Sequence, residues 1–296
     1  MSKQDAKILI IPDIHGRVFW KEALEKYNKE DYPNLTIVFL GDYVDPYEHE
    51  GISREDAIDN FQDIINVAKN DNRIHLLIGN HDMHYWYDAR FKSRVDNKNY
   101  NKIKDMFLQN FTLFNVAYEE IVNNEKYLFT HAGVSSFWLK HLQFVGKLAV
   151  ANNKKFRTDQ FGNKVKKLSD EQLPFAQMLE TMTPDADKLN KMKLNFQGQA
   201  NLWMASWARG GDYQNGSCIW EDLSEWGYEG MEIPGLWQIF GHSRWSKKDP
   251  EDLFIDKERK FACVDTASAW ILTTDGELIK FDHKKERFKI KKSSEN

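Results

Sequence analysis

Only two cysteines, Cys218 and Cys263, occur in 296 residues. Two are too few for a disulfide framework, and their separation fits no zinc-ribbon spacing. They read as reduced, buried thiols. No stretch approaches the roughly 20 apolar residues that cross a bilayer. Residues Met1 to Lys7 hold no long apolar segment, and the run from Ile8 to Ile11 stops at Pro12-Asp13, so it reads as a strand and not as a secretion signal. The expected location is cytoplasmic, with no membrane association. Excess positive charge is missing too: 41 Lys and Arg against 45 Asp and Glu leave a net charge of −4. Phosphate backbones are held by clustered Lys and Arg, so nucleic-acid binding by bulk charge is not expected. Internal repeats and low-complexity tracts are also absent.

What is present is a globular composition. Apolar residues make up 41% and aromatics 14% of the chain, too much to remain disordered. A chain of this length can bury about three quarters of its unfolded surface. The first third alternates strand and helix signals. Lys7 to Ile11, Leu35 to Leu40 and Arg73 to Ile78 are short apolar runs that suit buried parallel strands. Arg17 to Lys29 carries helical spacing through Val18, Phe19, Ala23, Leu24 and Tyr27 and is broken by Pro33-Asn34. Ser53 to Lys69 predicts a second helix, with Ser53 as N-cap and Asp56 three residues on. This βαβαβ order implies a right-handed, largely parallel sheet whose ligands collect beyond the carboxyl ends of its strands.

Further on, Phe107 to Phe114 reads as helical, Val116 to Val122 and Lys126 to Thr130 as a hairpin around Asn123-Asn124, and Ser135 to Val150 as a helix. Residues 152–199 are polar, Lys-rich and weakly periodic. They are expected to form a helical insertion or lid within a single domain spanning 1–296. The final third is β-rich, with strands expected at Leu236 to Phe240, Phe261 to Val264, Ala269 to Thr274, Leu278 to Asp282 and Arg287 to Lys291, before a frayed tail.

Five short polar clusters sit at the ends of strands: Asp13-Ile-His15, Gly41-Asp-Tyr-Val-Asp45, Gly79-Asn-His-Asp82, Thr130-His131 and Gly241-His-Ser243. Singly, an Asp or His there serves a turn. Five together, at one edge, make a ligand set. Carboxylate, imidazole and amide oxygen without thiolate suit Mn, Fe, Zn or Ni. The donors are too many for one tetrahedral ion, and they divide between two ions about 3.5–4 Å apart with a shared carboxylate.

That ordered series resembles the calcineurin-like metallophosphoesterase superfamily. Gly41-Asp-Tyr-Val-Asp45, Phe129-Thr-His-Ala-Gly133 and Val264-Asp-Thr266 are closest to its phosphoprotein phosphatase and diadenosine tetraphosphatase branch. The resemblance implies a four-layer α/β/β/α fold: a β-sandwich of two mixed sheets flanked by helices. It implies two divalent metal ions, manganese first among them. Asp13 and His15 would hold one, Asp42 would bridge, and Asn80, His131 and His242 would hold the other. His81 would be the general acid and Asp45 its partner. The implied activity is hydrolysis of phosphomonoesters on a phosphoprotein, nucleotide or small phosphoester, by attack of a metal-bridging hydroxide. The alternative is a phosphodiesterase or dinucleoside polyphosphate hydrolase with the same dimetal site.

Some positions depart from the pattern. An Arg that follows the second Asp of Gly-Asp-x-x-Asp in relatives is Pro46 here, the residue before Gly-Asn-His is Ile78, and Arg244 stands where some relatives have a second His. Arg209, in Ala208-Arg-Gly-Gly211, resembles a phosphate-binding Arg and is expected to be catalytic; Arg17 is within sequence reach of the site. His49 and His84 lie near the motifs and read as solvent-facing or, alternatively, as lining the pocket. Met83 to Tyr87 reads as a helix core face or, alternatively, a stacking wall.

Overall fold

The computed structural model describes residues 5–87, 92–153, 157–158, 164–165, 168–170, 172–244 and 253–284. The elements run in chain order β1 (Ala6–Ile11), α1 (Phe19–Lys26), β2 (Thr36–Phe39), α2 (Arg54–Asn70), β3 (Ile74–Leu77), α3 (Asn80–Met83), α4 (Tyr100–Gln109), β4 (Phe114–Asn115), β5 (Ala117–Val122), β6 (Glu125–Thr130) and α5 (Ser136–Asn153). They continue as β7 (Arg157–Thr158), β8 (Lys164–Val165), α6 (Gln172–Glu180), α7 (Ala186–Met192), α8 (Phe196–Leu202), β9 (Leu236–Phe240), β10 (Phe254–Asp256), β11 (Phe261–Cys263), β12 (Trp270–Thr273) and β13 (Leu278–Lys280).

Successive side chains of a strand point to opposite faces, and both faces of β1 are apolar. Leu9 and Ile11 join the cluster beneath the helices; Ile8 and Ile10 join a second cluster with Phe129, Ile239, Ala262 and Val264. The same split separates Ile37 and Phe39 of β2 from Val38 and from Leu40, which follows the strand. Burial of both faces therefore calls for a second sheet, and one is present. The first sheet has the order β13-β12-β1-β2-β3-β4 and the second β10-β11-β9-β6-β5. Strands β1 to β4 run parallel, as do β6, β9 and β11, while β12, β13, β10 and β5 pair antiparallel with their neighbours. The result is the expected sandwich of two mixed sheets flanked by helices.

Local signals account for several boundaries. The Ser53 hydroxyl oxygen accepts from the backbone N–H of Asp56 at 3.0 Å, capping α2. Asn123 and Asn124 take φ of 47° and 60°, the left-handed pair that a tight hairpin turn requires. An aromatic knot ties α2 and α4 to the first sheet. Phe61 lies 4.6 Å from Phe107 and 5.2 Å from Tyr43, whose hydroxyl donates to the carbonyl of Leu77 at 2.8 Å. Removing such a buried phenyl ring costs about 3–5 kcal/mol.

Two expectations need revision. The helix expected over Phe107 to Phe114 ends at Gln109; Phe114 instead opens β4, which pairs with Leu76 of β3. The sheet edge offers Phe114 hydrogen bonds and a full burial that another helical turn would not. Within 152–199 the described residues include α6, α7 and part of α8, but also the strand pair β7–β8. Within that segment 154–156, 159–163, 166–167 and 171 lie outside the described residues, as do the expected strand at Arg287 to Lys291 and the tail after it. Among the described residues, no helix is long and apolar enough to cross a membrane.

Candidate functional site

Because β1, β2 and β3 are parallel, their carboxyl ends reach one edge, and β6 and β9 bring theirs to the same place from the second sheet. The chain turns sharply there. His15, Asp42, Asp45 and His242 all take positive φ, of 43°, 55°, 57° and 67°. Left-handed backbone at a non-glycine residue is unfavourable and persists where the surrounding structure enforces it.

Asp42 is the hub. Its Oδ2 lies 3.4 Å from Nε2 of His15 and 3.5 Å from Nε2 of His131. Its Oδ1 accepts from the backbone N–H of His81 at 2.9 Å. Nε2 of His131 is 3.1 Å both from Oδ1 of Asn80 and from Nδ1 of His242. Both carboxylate oxygens of Asp13 accept from the His242 backbone N–H at 3.1 Å, which brings the first motif against the last. Two groups of candidate ligand atoms result, Asp13–His15–Asp42 and Asp42–His131–His242, and Asp42 belongs to both. The six residues expected to hold metal are thus gathered in one place.

The imidazoles are oriented from behind. Nδ1 of His15 donates to the Val44 carbonyl at 3.0 Å, and Nδ1 of His131 donates to that of Leu40 at 2.8 Å. A carbonyl only accepts, so both rings carry hydrogen on Nδ1 and turn the Nε2 lone pair inward. The backbone makes room for Asp13 and Asp42. A Cβ on Gly79 would stand 2.1 Å from Oδ1 of Asp42, and one on Gly241 2.1 Å from Oδ1 of Asp13.

The electrostatics are unbalanced toward negative charge. Burial first, and Asp13 second, push the Asp42 carboxyl well above its usual range. Burial and the Asp42 charge push Asp82 up to about 8, against three backbone N–H groups, of Asp42, Tyr43 and Gly79, that donate to it. Burial and then Asp13 raise Asp265 to about 6. His15 and His242 are driven well down by burial, which favours the neutral imidazole with one ring nitrogen's lone pair available. Nε2 of His242 and Oδ1 of Asp265 are buried without a hydrogen-bond partner. Packed carboxylates, neutral imidazoles and an orphaned nitrogen are what a cation site requires, so the donors fit a pair of divalent ions.

Beside this set, Asp45 holds His81, His84 and Tyr85 closely, with Nη1 of Arg54 farther off at 3.7 Å. Its Oδ2 is 3.1 Å from Nδ1 of His81 and 2.9 Å from Nε2 of His84, and its Oδ1 accepts from the Tyr85 hydroxyl at 2.5 Å. Burial would raise Asp45, but His81 and His84 outweigh it and hold the carboxyl at about 2. The carboxylate fixes the His81 ring, whose Nε2 faces a cavity of about 250 Å³ lined also by His15, Asp42, Asn80 and His242. Burial lowers His81 to about 4 despite Asp45. None of the described residues in 152–199 lines this cavity.

Other sequence candidates fall differently. Arg209 does line the cavity, but it is engaged: Nε pairs with Asp222 at 2.6 Å and Nη2 donates to the His242 carbonyl at 3.1 Å. Arg17 is fully buried, pairs with Glu50 and donates to the Asp13 carbonyl, so it braces the first motif and does not face the cavity. His49 is exposed, as expected, whereas His84 is buried against Asp45 and not solvent-facing. Tyr85 is buried and joins Asp45 through its hydroxyl, and Met83 is packed in the core. Sequence reasoning missed Asp82 as the clamp on three N–H groups, though it quoted the motif. It missed Arg94 altogether, because nothing in the local sequence marks it.

Two of the many solved structures that overlay on the chain are phosphoesterases by description. One is a protein serine/threonine phosphatase from Saccharomyces cerevisiae with similarity to human phosphatase PP5, at 15% identity and a TM-score of 0.40, covering 99% of this chain and 82% of that one. The other was described as a candidate diadenosine tetraphosphatase, at 13% identity and a TM-score of 0.40, covering 93% of each chain. Neither overlay is close enough to carry an argument about activity. No curated protein matches the chain. The family model for calcineurin-like phosphoesterases, however, matches residues 6–191, well over half the chain, and spans four of the five polar clusters. The chain therefore belongs to the calcineurin-like phosphoesterase family, whose members use a dimetal site, and is a hydrolase of phosphoester bonds.

Proposed function

We propose that the chain is a two-metal phosphomonoesterase of protein-phosphatase-like type. The observation that carries this reading is Asp42, one carboxylate shared by two ligand groups, at the wall of a cavity that His81 also faces. Asp13 and His15 would hold one ion, Asn80, His131 and His242 the other, and Asp42 both. When bound, two divalent cations, manganese by preference, supply a water acidic enough to be a nucleophile near neutral pH and offset charge on the phosphoryl oxygens. The chain's own groups do the rest. His15 and His131 present Nε2 because backbone carbonyls occupy Nδ1. Asp45 orients His81 through Nδ1, so that Nε2 can carry a proton to the leaving alkoxide oxygen. Arg209, anchored by Asp222, would keep its remaining guanidinium donors at the cavity wall for a phosphoryl oxygen.

Purified protein should release phosphate from p-nitrophenyl phosphate when Mn²⁺ is added; absence of turnover with Mn, Fe, Zn and Ni alike would sink the reading. His81→Ala should lower kcat by about 10²–10⁴-fold while metal content stays at the wild-type value. Equal loss of metal would make His81 a ligand instead of the acid. Pro46, which offers no side-chain donor, favours a second reading on the same site: a phosphodiesterase or dinucleoside polyphosphate hydrolase. Comparing phosphoseryl and phosphotyrosyl peptides with bis-p-nitrophenyl phosphate and diadenosine tetraphosphate decides between the two. The two buried free thiols suit a reducing, cytoplasmic setting.

A further inference from the structure

Two guanidinium groups line the cavity, those of Arg209 and Arg94. Arg209 is matched by the Asp222 carboxylate. Arg94 pairs with no carboxylate among the described residues. Its Nη1 donates to the backbone carbonyl of Asp45 at 2.9 Å. Its Nη2 lies 3.1 Å from Nε2 of His81 and 3.4 Å from Nε2 of His15. Its Cζ stands 3.8 Å from the centroid of the Tyr47 ring, a stacked cation–π contact. Two other guanidiniums approach that ring, Arg17 at 5.4 Å and Arg244 at 4.7 Å, but both pair with Glu50. Arg94 is thus a half-buried cation that spends its donors on a carbonyl and two imidazole ring nitrogens. Its backbone, at a φ of 52°, is itself in the left-handed region. Strained backbone that aims a side chain into a cavity tends to mark function.

An oxyanion would be a far better partner for those donors than neutral nitrogen, because charge-assisted hydrogen bonds to a planar guanidinium are about twice as strong as neutral ones. Resting on the two-metal reading above, we propose that Arg94, steadied on Tyr47, is the residue that clamps the phosphoryl oxyanion of the substrate. The clamp comes from the segment after α3 and not from any of the five polar clusters. Arg94 therefore touches substrate directly.

The test uses inorganic phosphate as the probe, titrated calorimetrically into Mn²⁺-loaded protein, with metal content measured on the same samples. Arg94→Ala should keep its metal and weaken phosphate binding by about 10–100-fold. Arg94→Lys should recover part of that binding, since it keeps the charge without the planar fork. Tyr47→Leu, which removes the platform and no charge, should weaken binding by about 2–30-fold. Phosphate binding by Arg94→Ala at wild-type strength would overturn the proposal and leave the two-metal reading standing. Loss of metal together with phosphate in Arg94→Ala would also overturn it, by making Arg94 a brace for His15. Failure of the wild-type protein to bind metal or phosphate would remove the two-metal reading first, and the clamp with it.

Discussion

Gly79 offers a steric test of the shared carboxylate. Its φ is ordinary, so alanine there meets no backbone strain, and the whole effect comes from one added methyl group. That Cβ would lie 2.1 Å from Oδ1 of Asp42 and 2.8 Å from its backbone nitrogen, where ordinary van der Waals contact begins at 3.4 Å. The carboxylate must retreat by about 1.3 Å, the gap between those two distances. In moving, it gives up the 2.9 Å hydrogen bond from the His81 backbone and its approach to His15 and His131. A displacement of about 1 Å in a reacting constellation costs on the order of 10²-fold in rate. Overpacking of a well-filled site costs about 1–3 kcal/mol, which a domain of ordinary stability survives. Gly79→Ala is therefore expected to remain folded by circular dichroism, to lose Mn²⁺ affinity in calorimetry, and to hydrolyse p-nitrophenyl phosphate about 10²-fold more slowly. Gly227→Ala is the control, since a Cβ there meets nothing within 4 Å. A folded Gly79→Ala protein with wild-type metal affinity and turnover would refute the bridging position of Asp42.

Two further outcomes concern stability. Ser53→Ala removes the N-cap of α2 and should lower the unfolding free energy by about 1 kcal/mol, seen as a lower urea midpoint at unchanged m value. Burial lowers Lys193 to about 8 in the folded chain, where its ammonium donates to the carbonyls of Phe111 and Phe114. Below that pH both states are protonated; between there and the ordinary lysine value the unfolded chain binds the extra proton, so stability rises with pH across that window. Wild type minus Lys193→Met, measured by urea unfolding at pH 7.5 and at pH 10.5 or so, should shift in favour of the wild type at the higher value. A difference that is flat, or that shifts the other way, contradicts the assignment.

Much of the first sheet was legible because burial of both faces leaves a continuous apolar run, and such runs mark β1, β2 and β3 without any tertiary information. The cap at Ser53 and the left-handed Asn123-Asn124 turn are local chemistry, readable for the same reason. Phe114 was misread because its helical spacing is real but weaker than what the edge of β3 offers it, which is a fact about a distant strand. His84 shows the same limit. Nothing beside it in the chain says that Asp45 lies 2.9 Å away.

The sequence by itself determined the kind of donors the chain brings, which are carboxylate, imidazole and amide at strand ends, and with them the preference for hard or borderline divalent cations. It determined the continuous apolar runs that mark strands buried on both faces. Only the tertiary structure decided that Asp42 stands between two groups, that Asp82 clamps the turn beneath it, that Arg17 braces the first motif from behind, and that Arg94 reaches the cavity. Periodicity and motif record which face of an element is buried and which atoms it carries. Which of those atoms meet depends on strand register and on how two sheets close against each other, and that is fixed by packing summed over the whole chain.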